Sequence, residues 1–313
     1  VTNMRIIRGI SNLRSDDRNC VVTIGNFDGV HLGHQAMLAE VKKASVALDC
    51  PSLLICFEPQ PKEFFDEYKA PARLTRFREK VSLLRQCGID RLLCLKFNEE
   101  TRGVSAAEFV SLLVDDLSAK ALYVGDDFRF GSDRTGDFSM LQQAGEQFGF
   151  KVSNFYTFTF ERERVSSTRI RACLAAGQFS EAETMLGHPY SIAGRVARGR
   201  QLGRTIGVPT ANIQLHRYKA PLSGGYAVEI TGLTSDRYGV ANVGVRPTID
   251  GDTIRPILEV HIFDFDADIY GQYIEIIFRK KIREEKKHDG LEALKEAISK
   301  DMKEARQFFL LDA

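Results

Sequence analysis

The chain has 313 residues, and 43% of them are hydrophobic, which is enough to bury the cores of two ordinary domains. Lys and Arg number 43 against 42 Asp and Glu, without a long block of one sign, which argues against a broad basic face for duplex nucleic acid. No apolar run reaches the roughly 18 residues of a membrane span, and no signal-peptide pattern opens the chain, so we expect a cytoplasmic globular protein.

In the first half of the chain, β-rich apolar runs alternate with segments that carry apolar residues at helical spacing. The predicted strands are 21–24, 53–57, 91–97, 122–124 and 152–155. The predicted helices between them are 34–48, 73–86, 106–117 and 138–148. This alternation indicates a parallel sheet covered by helices.

Beyond residue 166 the pattern changes. Two short helices are predicted at 168–176 and 179–186, and the sequence GHPY then breaks the helical pattern, so we place the domain boundary between domains 1–186 and 187–313. Short alternating runs follow and predict an antiparallel sheet or barrel, with an amphipathic helix at 291–309 to cover an open end. The runs are 190–197, 226–230, 238–243, 257–263 and 273–282.

The six cysteines are scattered and form no CxxC pair. Several lie in apolar, strand-like runs, which favours reduced, buried thiols over disulfides or a zinc site. We therefore expect no chemistry from them. They are Cys20, Cys50, Cys56, Cys87, Cys94 and Cys173.

A phosphate motif, GNFDGVHLGH, runs from Gly25 to His34, where the strand at 21–24 meets the first helix. Its glycines let a phosphate approach the backbone, and amides at a helix start favour anions. His31 and His34 are three residues apart, so they share one face and can donate hydrogen bonds to one phosphate or, if protonated, neutralise its charge. The strand, turn and helix around them argue against two ordinary surface histidines.

Three further segments accompany this motif. The hydroxyl-rich helix start SSTRIR, at 166–171, suits the oxygens of pyrophosphate, although capping alone would explain one Ser or Thr. With HxGH it resembles the nucleotidyltransferase superfamily. The loops FEPQP (57–61) and YVGDDFRFG (123–131) follow other predicted strands and open at the same sheet edge, which favours substrate binding over plain rigid turns.

The C-terminal half carries a glycine-rich segment, GRQLGRTIGVPTAN, at 199–212. Its spacing differs from GxxxxGK[ST], so it is no standard P-loop. A flexible flap would lay backbone amides on phosphates, and the Thr210 hydroxyl and Asn212 amide oxygen are hard ligands that suit Mg²⁺. Glycines are common in barrel turns and by themselves would decide nothing.

Seven motifs, in this order and over essentially the whole chain, resemble the bacterial bifunctional riboflavin kinase/FMN adenylyltransferase (FAD synthetase) family. They are GNFDGVHLGH, FEPQP, VGDDFRFG, SSTRIR, GRTIGVPTAN, ANVGVRPT and LEVHIFDFDADIYG. The resemblance implies an α/β plus all-β fold: a Rossmann-like nucleotidyltransferase domain with helices on both sheet faces, then an antiparallel riboflavin kinase β-barrel with a terminal helix. The first domain would transfer AMP from ATP to FMN, giving FAD and pyrophosphate; the second would phosphorylate riboflavin with ATP.

The resemblance also implies the site residues. In the adenylyltransferase, the ATP and phosphate ligands are Gly25, Asn26, Phe27, Asp28, His31, His34, Asp126, Arg129, Ser167, Thr168 and Arg171, and the flavin side is Phe57, Pro59 and Pro61. In the kinase, the ATP ligands are Gly194, Gly199, Gly203, Arg204, Thr210 and Asn212, of which Thr210 and Asn212 also hold Mg²⁺. The catalytic groups are His31, His34 and Glu259, the last as the base for the terminal ribityl hydroxyl.

Two residues depart from the family pattern. Gly225 stands where a larger apolar residue is expected, and an interior glycine would loosen its strand. His288 stands where Phe is common, which would alter packing on the flavin side.

Two other functions are open to this sequence. A single-activity adenylyltransferase, of the pantetheine-phosphate or nicotinate-mononucleotide kind, would use the barrel only for binding and would not need Thr210, Asn212 and Glu259. A flavin- or RNA-binding regulator would not need both histidines, and the balanced charge weakens its RNA version. We expect small-molecule partners (ATP, riboflavin and FMN), with no nucleic acid, membrane or obligatory protein partner.

Overall fold

The computed structural model describes residues 4–132, 134–155, 158–199, 207–247, 254–286 and 290–311. The chain forms two compact units, one of residues 1–70 and 75–166 and the other of residues 71–74 and 167–313. The first unit contains a parallel α/β sheet and the second an antiparallel barrel, so the expected fold class is confirmed.

The first unit is built on a six-stranded sheet in the order β1-β4-β3-β2-β5-β6, in which every pair is parallel. Its strands are β1 (Arg5–Arg8), β2 (Val21–Ile24), β3 (Ser52–Glu58), β4 (Arg91–Lys96), β5 (Ala121–Gly125) and β6 (Lys151–Phe155). The sequence predicts all of these except β1, whose two apolar residues stand between arginines.

Helices cover both faces of this sheet. They are α1 (Leu32–Ala47), α2 (Pro61–Phe65), α3 (Phe77–Gln86), α4 (Glu99–Gly103), α5 (Ala106–Ser111), which continues as a π-helical turn over Leu112–Asp116, and α6 (Phe138–Phe148). Neighbouring residues of β3 show the two faces: Leu53 and Ile55 belong to one apolar cluster, and Leu54 and Cys56 to the other. A two-stranded hairpin, β7 (Thr159–Phe160) and β8 (Glu163–Arg164), follows the sheet.

The helix predicted from residue 73 begins four residues later. Arg76 is its N-cap in extended conformation, and Glu79 accepts a hydrogen bond from the Arg76 backbone N–H at 2.6 Å, which closes a capping box. Residues 73–76 therefore precede the helix, and one of them, Thr75, contacts the loop before α1.

The second unit begins with α7 (Ser167–Ala176) and α8 (Phe179–Leu186). A closed antiparallel barrel follows, in the order β10-β13-β12-β11-β14-β9. Its strands are β9 (Ser191–Ala197), β10 (Ala211–Ile213), β11 (Gly224–Thr231), β12 (Arg237–Pro247), β13 (Ile254–Ile262) and β14 (Tyr273–Arg283). The three-residue β10 pairs with both β9 and β13, and it closes the barrel.

The last helix, α9 (Leu291–Phe308), packs on the side of the barrel. Its Ala305 is buried in one apolar cluster with Ala227, Val240 and Phe263. Successive side chains of β11 point to opposite faces of the barrel wall. Tyr226 and Val228 face the barrel interior, so Ala227 between them faces outwards. The helix therefore covers the outer face of β11 and β12, not an open end as expected from the sequence.

All six cysteines are free: Cys20, Cys56 and Cys173 are buried and the other three are partly buried. Burial raises the pKa of the Cys20 thiol to about 12. No helix in the described part of the chain is long and apolar enough to cross a membrane.

Candidate active sites

The first candidate site lies where β2 ends and α1 begins. His31 is the N-cap of α1, and its Nδ1 accepts a hydrogen bond from the His34 backbone N–H at 3.3 Å. Because Nδ1 of His31 accepts, the proton of the neutral ring belongs on Nε2. The two imidazoles stack with centroids 3.6 Å apart and planes at 15°. Gly33 allows this arrangement, since a Cβ there would lie 3.3 Å from the His31 ring.

The His34 ring is enclosed by its neighbours. It stacks on His31 on one side, and the Phe27 ring lies 4.9 Å away on another. Its Nδ1 is buried and has no hydrogen-bond partner among the described residues. Burial, followed by the electrostatic effects of the His31 ring and of Lys80, lowers the pKa of His34 well below its usual value. Near neutral pH His34 is thus a neutral ring that can donate or accept, rather than a cation.

The loop before the histidines is tied down by a buried carboxylate. Asp28 is 3% exposed and accepts hydrogen bonds from the Thr75 backbone N–H at 3.0 Å and from the Thr75 hydroxyl at 3.3 Å. The same hydroxyl accepts a hydrogen bond from the Gly29 N–H at 3.0 Å. These bonds hold the loop in place from within the protein; contact of Asp28 with ATP stays a prediction.

The rest of the loop exposes backbone at the sheet edge. Asn26 is exposed and Gly25 half-buried, whereas the Phe27 side chain is buried beneath them. Phe27 adopts a positive φ of +46°. A Cβ at position 25 would lie only 3.1 Å from the Phe27 ring, and glycine at this position avoids that close contact. Phe27 therefore packs the turn together, and ATP contacts of Gly25, Asn26 and Phe27 stay predictions.

The nucleotide loop after β5 is anchored by aromatic rings. Phe128 and Phe130 stack with centroids 5.8 Å apart and both lie against Phe109 in the core. Between them, Arg129 forms an ion pair with Asp137 at 3.0 Å. The carboxylate of Asp126 lies 3.6 Å from the Arg164 guanidinium. Both predicted ligands are thus on a loop whose base is rigid.

The flavin-side residues lie at the end of β3 and just after it, and β3 neighbours β2, so they are at the same sheet edge as the histidines. Phe57 packs edge-on against Phe97 at 5.6 Å, and Phe64 and Phe65 pack on the same ring. Phe65 is 62% exposed. Pro59 lies in the loop and Pro61 is the first residue of α2. The sequence analysis missed Phe64, Phe65 and Phe97, although the pair of phenylalanines in PKEFF was a signal.

The SSTRIR motif forms the start of α7, as predicted. Ser167 and Thr168 lie in its first turn, and Arg171 donates from Nε to the Ala72 carbonyl at 2.5 Å. This helix belongs to the second unit, whereas the histidines belong to the first. A joint phosphate site of Ser167, Thr168, Arg171 and the histidines therefore stays a prediction.

The second candidate site is a row of residues across the outer face of the barrel. Asn212 of β10 stands directly opposite Glu259 of β13, and Glu259 stands opposite Asn242 of β12. The row continues through Gly225 of β11 to Arg283 of β14. Directly opposed residues of an antiparallel pair have Cβ atoms about 5 Å apart and side chains on one face. The barrel therefore brings Asn212 and Glu259 together across 47 residues of sequence.

Strand alternation turns this row away from the barrel interior. The neighbours of Glu259, Leu258 and Val260, are buried, whereas Glu259 itself is half-exposed. Helix α9 packs on the same outer face through Ala227, two residues from Gly225. Glu259 thus lies at the surface of the barrel, accessible to a ligand.

The row is connected to α9 by three residues that the sequence analysis missed: Asn242, Arg283 and Asp301. Arg283 donates from Nε to both carboxylate oxygens of Asp301, at 2.8 and 3.1 Å, and from Nη2 to Oδ1 of Asn242 at 3.4 Å. Gly225 makes room for this ion pair, because a Cβ there would lie 3.2 Å from the Arg283 Cγ. The Arg283 side chain thus lies where a larger residue at position 225 would extend, and a looser strand at Gly225 stays a prediction.

The described residues of the glycine-rich segment flank Asn212. A Cβ on Gly199 would collide with the Asn212 carboxamide, so the two residues are in close contact. Thr210 is half-buried and lies two residues before Asn212, and the Pro209 carbonyl is hydrogen bonded to Nδ1 of His261 at 2.8 Å. Gly194 is buried in β9 against Ile213. Gly203, Arg204 and His288 lie outside the described residues.

The oxygen donors of this row fit a magnesium ion. Asn212 and Glu259 supply amide and carboxylate oxygens on one face of neighbouring strands, and Thr210 adds a hydroxyl. Hard oxygen donors are what Mg²⁺ prefers, and it also keeps waters and substrate phosphates as ligands. Within the described ranges, no group of three or more His, Cys, Asp and Glu side chains could hold a metal ion by itself.

Comparison with known proteins gives two family models in succession. A model described as FAD synthetase matches residues 13–169, and a model described as riboflavin kinase matches residues 186–309. The bifunctional riboflavin kinase/FMN adenylyltransferase of Escherichia coli (strain K12) is 48% identical over 309 residues, covering 98% of both chains. The protein of the same name from Pseudomonas fluorescens is 50% identical over 304 residues, covering 97% of both.

A solved structure matches the fold over the full length. The crystal structure of a macrolide-efflux protein from Streptococcus pneumoniae has a TM-score of 0.79 and 29% identity, and the match covers 97% of this chain and 99% of that one. Two successive modules with this fold are thus common to both chains.

Proposed function

The chain belongs to the bifunctional riboflavin kinase/FMN adenylyltransferase family, and we propose that it makes FAD from riboflavin in two steps that each consume ATP. The C-terminal module phosphorylates riboflavin to FMN, and the N-terminal module joins FMN to AMP. The observation that carries this proposal is that each compact unit has its own cluster of phosphate-directed side chains: the histidine pair on the sheet, and Asn212 opposite Glu259 on the barrel.

In the adenylyltransferase step, a phosphate oxygen of FMN attacks the α-phosphorus of ATP, the bond to the β-phosphate breaks, and pyrophosphate leaves. His31 and His34 donate hydrogen bonds to the phosphoryl oxygens, which gain charge during the transfer; the lowered pKa of His34 and the hydrogen bond accepted by Nδ1 of His31 support this role. The remaining catalysis is the positioning of two substrates in line, so no covalent enzyme intermediate is required.

In the kinase step, Glu259 takes the proton of the terminal ribityl hydroxyl as that oxygen attacks the γ-phosphorus of ATP, and ADP leaves. Thr210 and Asn212 would hold Mg²⁺, which would neutralise charge on the ATP phosphates. Asn212 opposite Glu259 gives the barrel both an oxygen ligand and a base, which a barrel used only for binding would not need.

We assign the adenylyltransferase to residues 1–186 and the kinase to residues 187–313, with a cytoplasmic location and small molecules as the only required partners. The two family models support the order of the modules, since one ends at residue 169 and the other begins at residue 186. The helices α7 and α8 lie between these two ends.

The test is to incubate the protein with riboflavin, ATP and Mg²⁺ and to separate the flavins by chromatography. The wild-type protein should form FMN and then FAD. The double variant His31→Ala/His34→Ala should stop at FMN, with FAD formation reduced about 10²-fold or more, because the phosphoryl oxygens lose two hydrogen-bond donors.

Glu259→Ala should reduce FMN formation by about 10²- to 10⁴-fold, the usual contribution of a general base, while supplied FMN is still converted to FAD. Each variant is the folding control for the other, because its second activity should persist. Equal loss of both steps in either variant would contradict two independent sites.

A further inference from the structure

Lys80 of α3 is a buried cation that the proposed reaction does not use. Its side chain is 0% exposed, and its Nζ has no hydrogen-bond partner among the described residues. Val81 and Leu84 on the same helix are also buried, and they fill the apolar cluster under the sheet. Since an unpaired ammonium in a core is unfavourable, packing alone does not account for a lysine at this position.

Helix α3 packs beside the histidine motif: Thr75, just before the helix, is hydrogen bonded to Asp28 and Gly29, and Val81 shares an apolar cluster with Phe27, whose ring contacts His34. After burial and the charge of His31, the Lys80 charge contributes to the lowered pKa of His34. The same charge interacts with the thiols of Cys56 and Cys94, which are register partners near the ends of β3 and β4. The buried face of α3 that carries Lys80 thus packs in the same apolar cluster as β3 and α1.

Two buried polar atoms in this region therefore have no hydrogen-bond partner among the described residues: Nζ of Lys80 and Nδ1 of His34. An ammonium group has three hydrogens to donate and no lone pair, and a neutral imidazole nitrogen without a proton can only accept. The two atoms are complementary, and they belong to different helices, α3 and α1.

We propose that Lys80 is a positioning residue for adenylyl transfer: when nucleotide binds, its ammonium group donates a hydrogen bond to Nδ1 of His34, which leaves the proton of the His34 ring on Nε2. The His31 ring is set in the same tautomer by the His34 backbone N–H, which donates to Nδ1 of His31. Both rings then present Nε2–H donors to the phosphates. This inference rests on the proposed adenylyltransferase function.

Lys80 acts through His34 rather than by direct contact with ATP. A side chain with no exposed surface is not on the wall of a binding site, whereas His34 is on the first turn of α1 at the sheet edge. Loss of Lys80 should therefore lower the rate of AMP transfer more than the affinity for ATP or FMN, because the affected hydrogen bond strengthens as charge develops on the phosphate.

The test compares Lys80→Met with the wild-type full-length protein. Methionine keeps much of the length of the side chain and removes the charge. We expect kcat for FAD formation from FMN to fall about tenfold or more, a range seen when a partner that orients a ligand is removed. KM for ATP and FMN should change less than kcat, riboflavin phosphorylation should be unchanged, and the melting temperature should be equal or higher, since a buried unpaired charge is gone.

The matched control is Leu84→Met, which alters the same buried helix face one turn further on and should leave both activities unchanged. FAD formation by Lys80→Met within twofold of wild type would overturn the proposal. So would a loss of melting temperature with a parallel loss of both activities, because that result indicates a structural role.

A measurement on the wild-type protein keeps the proposal testable even if Lys80→Met does not fold. Nitrogen-15 NMR of the histidine rings, with α,β-methylene-ATP and Mg²⁺ bound and the His34 signals assigned from a His34→Gln sample, should show His34 with its proton on Nε2. A proton on Nδ1 would overturn the proposal. This readout is separate from activity: a wild-type protein that makes no FAD would contradict the proposed function, whatever the tautomer of His34.

Discussion

The position of the Asn212 carboxamide depends on the absence of a side chain at Gly199. A Cβ on Gly199 would be 2.7 Å from Oδ1 of Asn212, too close for any real contact. The carboxamide is at the end of a side chain that can rotate, so the barrel can absorb a methyl group at position 199 by moving Asn212. That movement takes the amide oxygen away from its place opposite Glu259.

Gly199→Ala should therefore reduce riboflavin phosphorylation, by about tenfold or more in kcat/KM, with little change in melting temperature, because a ligand oxygen is displaced but no core contact is lost. Conversion of supplied FMN to FAD should be unaffected. Steady-state kinetics of both steps, with ATP and Mg²⁺ varied, would measure this. Gly103→Ala is the control, since a Cβ there meets no atom within 4 Å; kinase activity equal to wild type in Gly199→Ala would show that Asn212 is not a ligand.

At the scale of elements, the ion pair between Arg283 and Asp301 connects β14 with α9. Asp301 is buried, and Arg283 also donates to Asn242, which stands opposite Glu259. The terminal helix is thus connected by two side chains to the residue beside the proposed base. Helix α9 therefore helps to position the side chains of the row from Asn212 to Arg283, in addition to its apolar contact through Ala305.

Asp301→Ala should destabilise the barrel by about 2 kcal/mol, since it leaves the Arg283 guanidinium partly buried without its charged acceptor. Urea unfolding of the full chain, followed by a probe in the barrel, would measure the change. The double variant Asp301→Leu/Arg283→Met should recover part of the loss, because no charge is then left unpaired. Asp264→Ala, which removes the more exposed pair with Arg306, is the control and should destabilise the barrel much less; an equal loss in both single variants would contradict this account.

At the scale of the whole molecule, each unit has its own core, and α7 and α8 belong to the unit of the barrel. Phe179 of α8 is 6% exposed and packs on the rings of Tyr226 and Phe278, with centroids at 5.8 and 6.3 Å. Glu183 of the same helix forms an ion pair with Arg279 at 3.2 Å. Removal of α8 would therefore expose two large aromatic side chains of the barrel.

Two fragments test this. The fragment 167–313 should be more stable than the fragment 187–313, by roughly 5–10 °C in melting temperature, because the shorter one exposes the apolar surface that Phe179 covers. Both retain the row from Asn212 to Arg283, so both should phosphorylate riboflavin at low temperature. Calorimetry and a kinase assay would check this; equal melting temperatures would show that α7 and α8 contribute nothing to the barrel.

Elements with a strong periodic pattern were predictable almost to the residue. The strand at 21–24, the helix at 138–148 and the helix at 179–186 have the predicted bounds. The sequence analysis missed β1, whose two apolar residues stand between arginines, and β10, whose three residues are too few to show a period. It also extended a helix through residues 73–76, where a capping box starts it at Phe77.

The sequence by itself determined the architecture of both modules and the motifs that carry their chemistry, because hydrophobic period, turn residues and phosphate-directed side chains are local properties of the chain. Only the tertiary structure decided which distant residues meet: Asn242 beside Glu259, Asp301 on Arg283, and Thr75 on Asp28. The period of the hydrophobic pattern specifies the face of a strand or helix on which a residue lies. The neighbour on that face is set by strand register and helix packing, which join residues that are far apart in sequence.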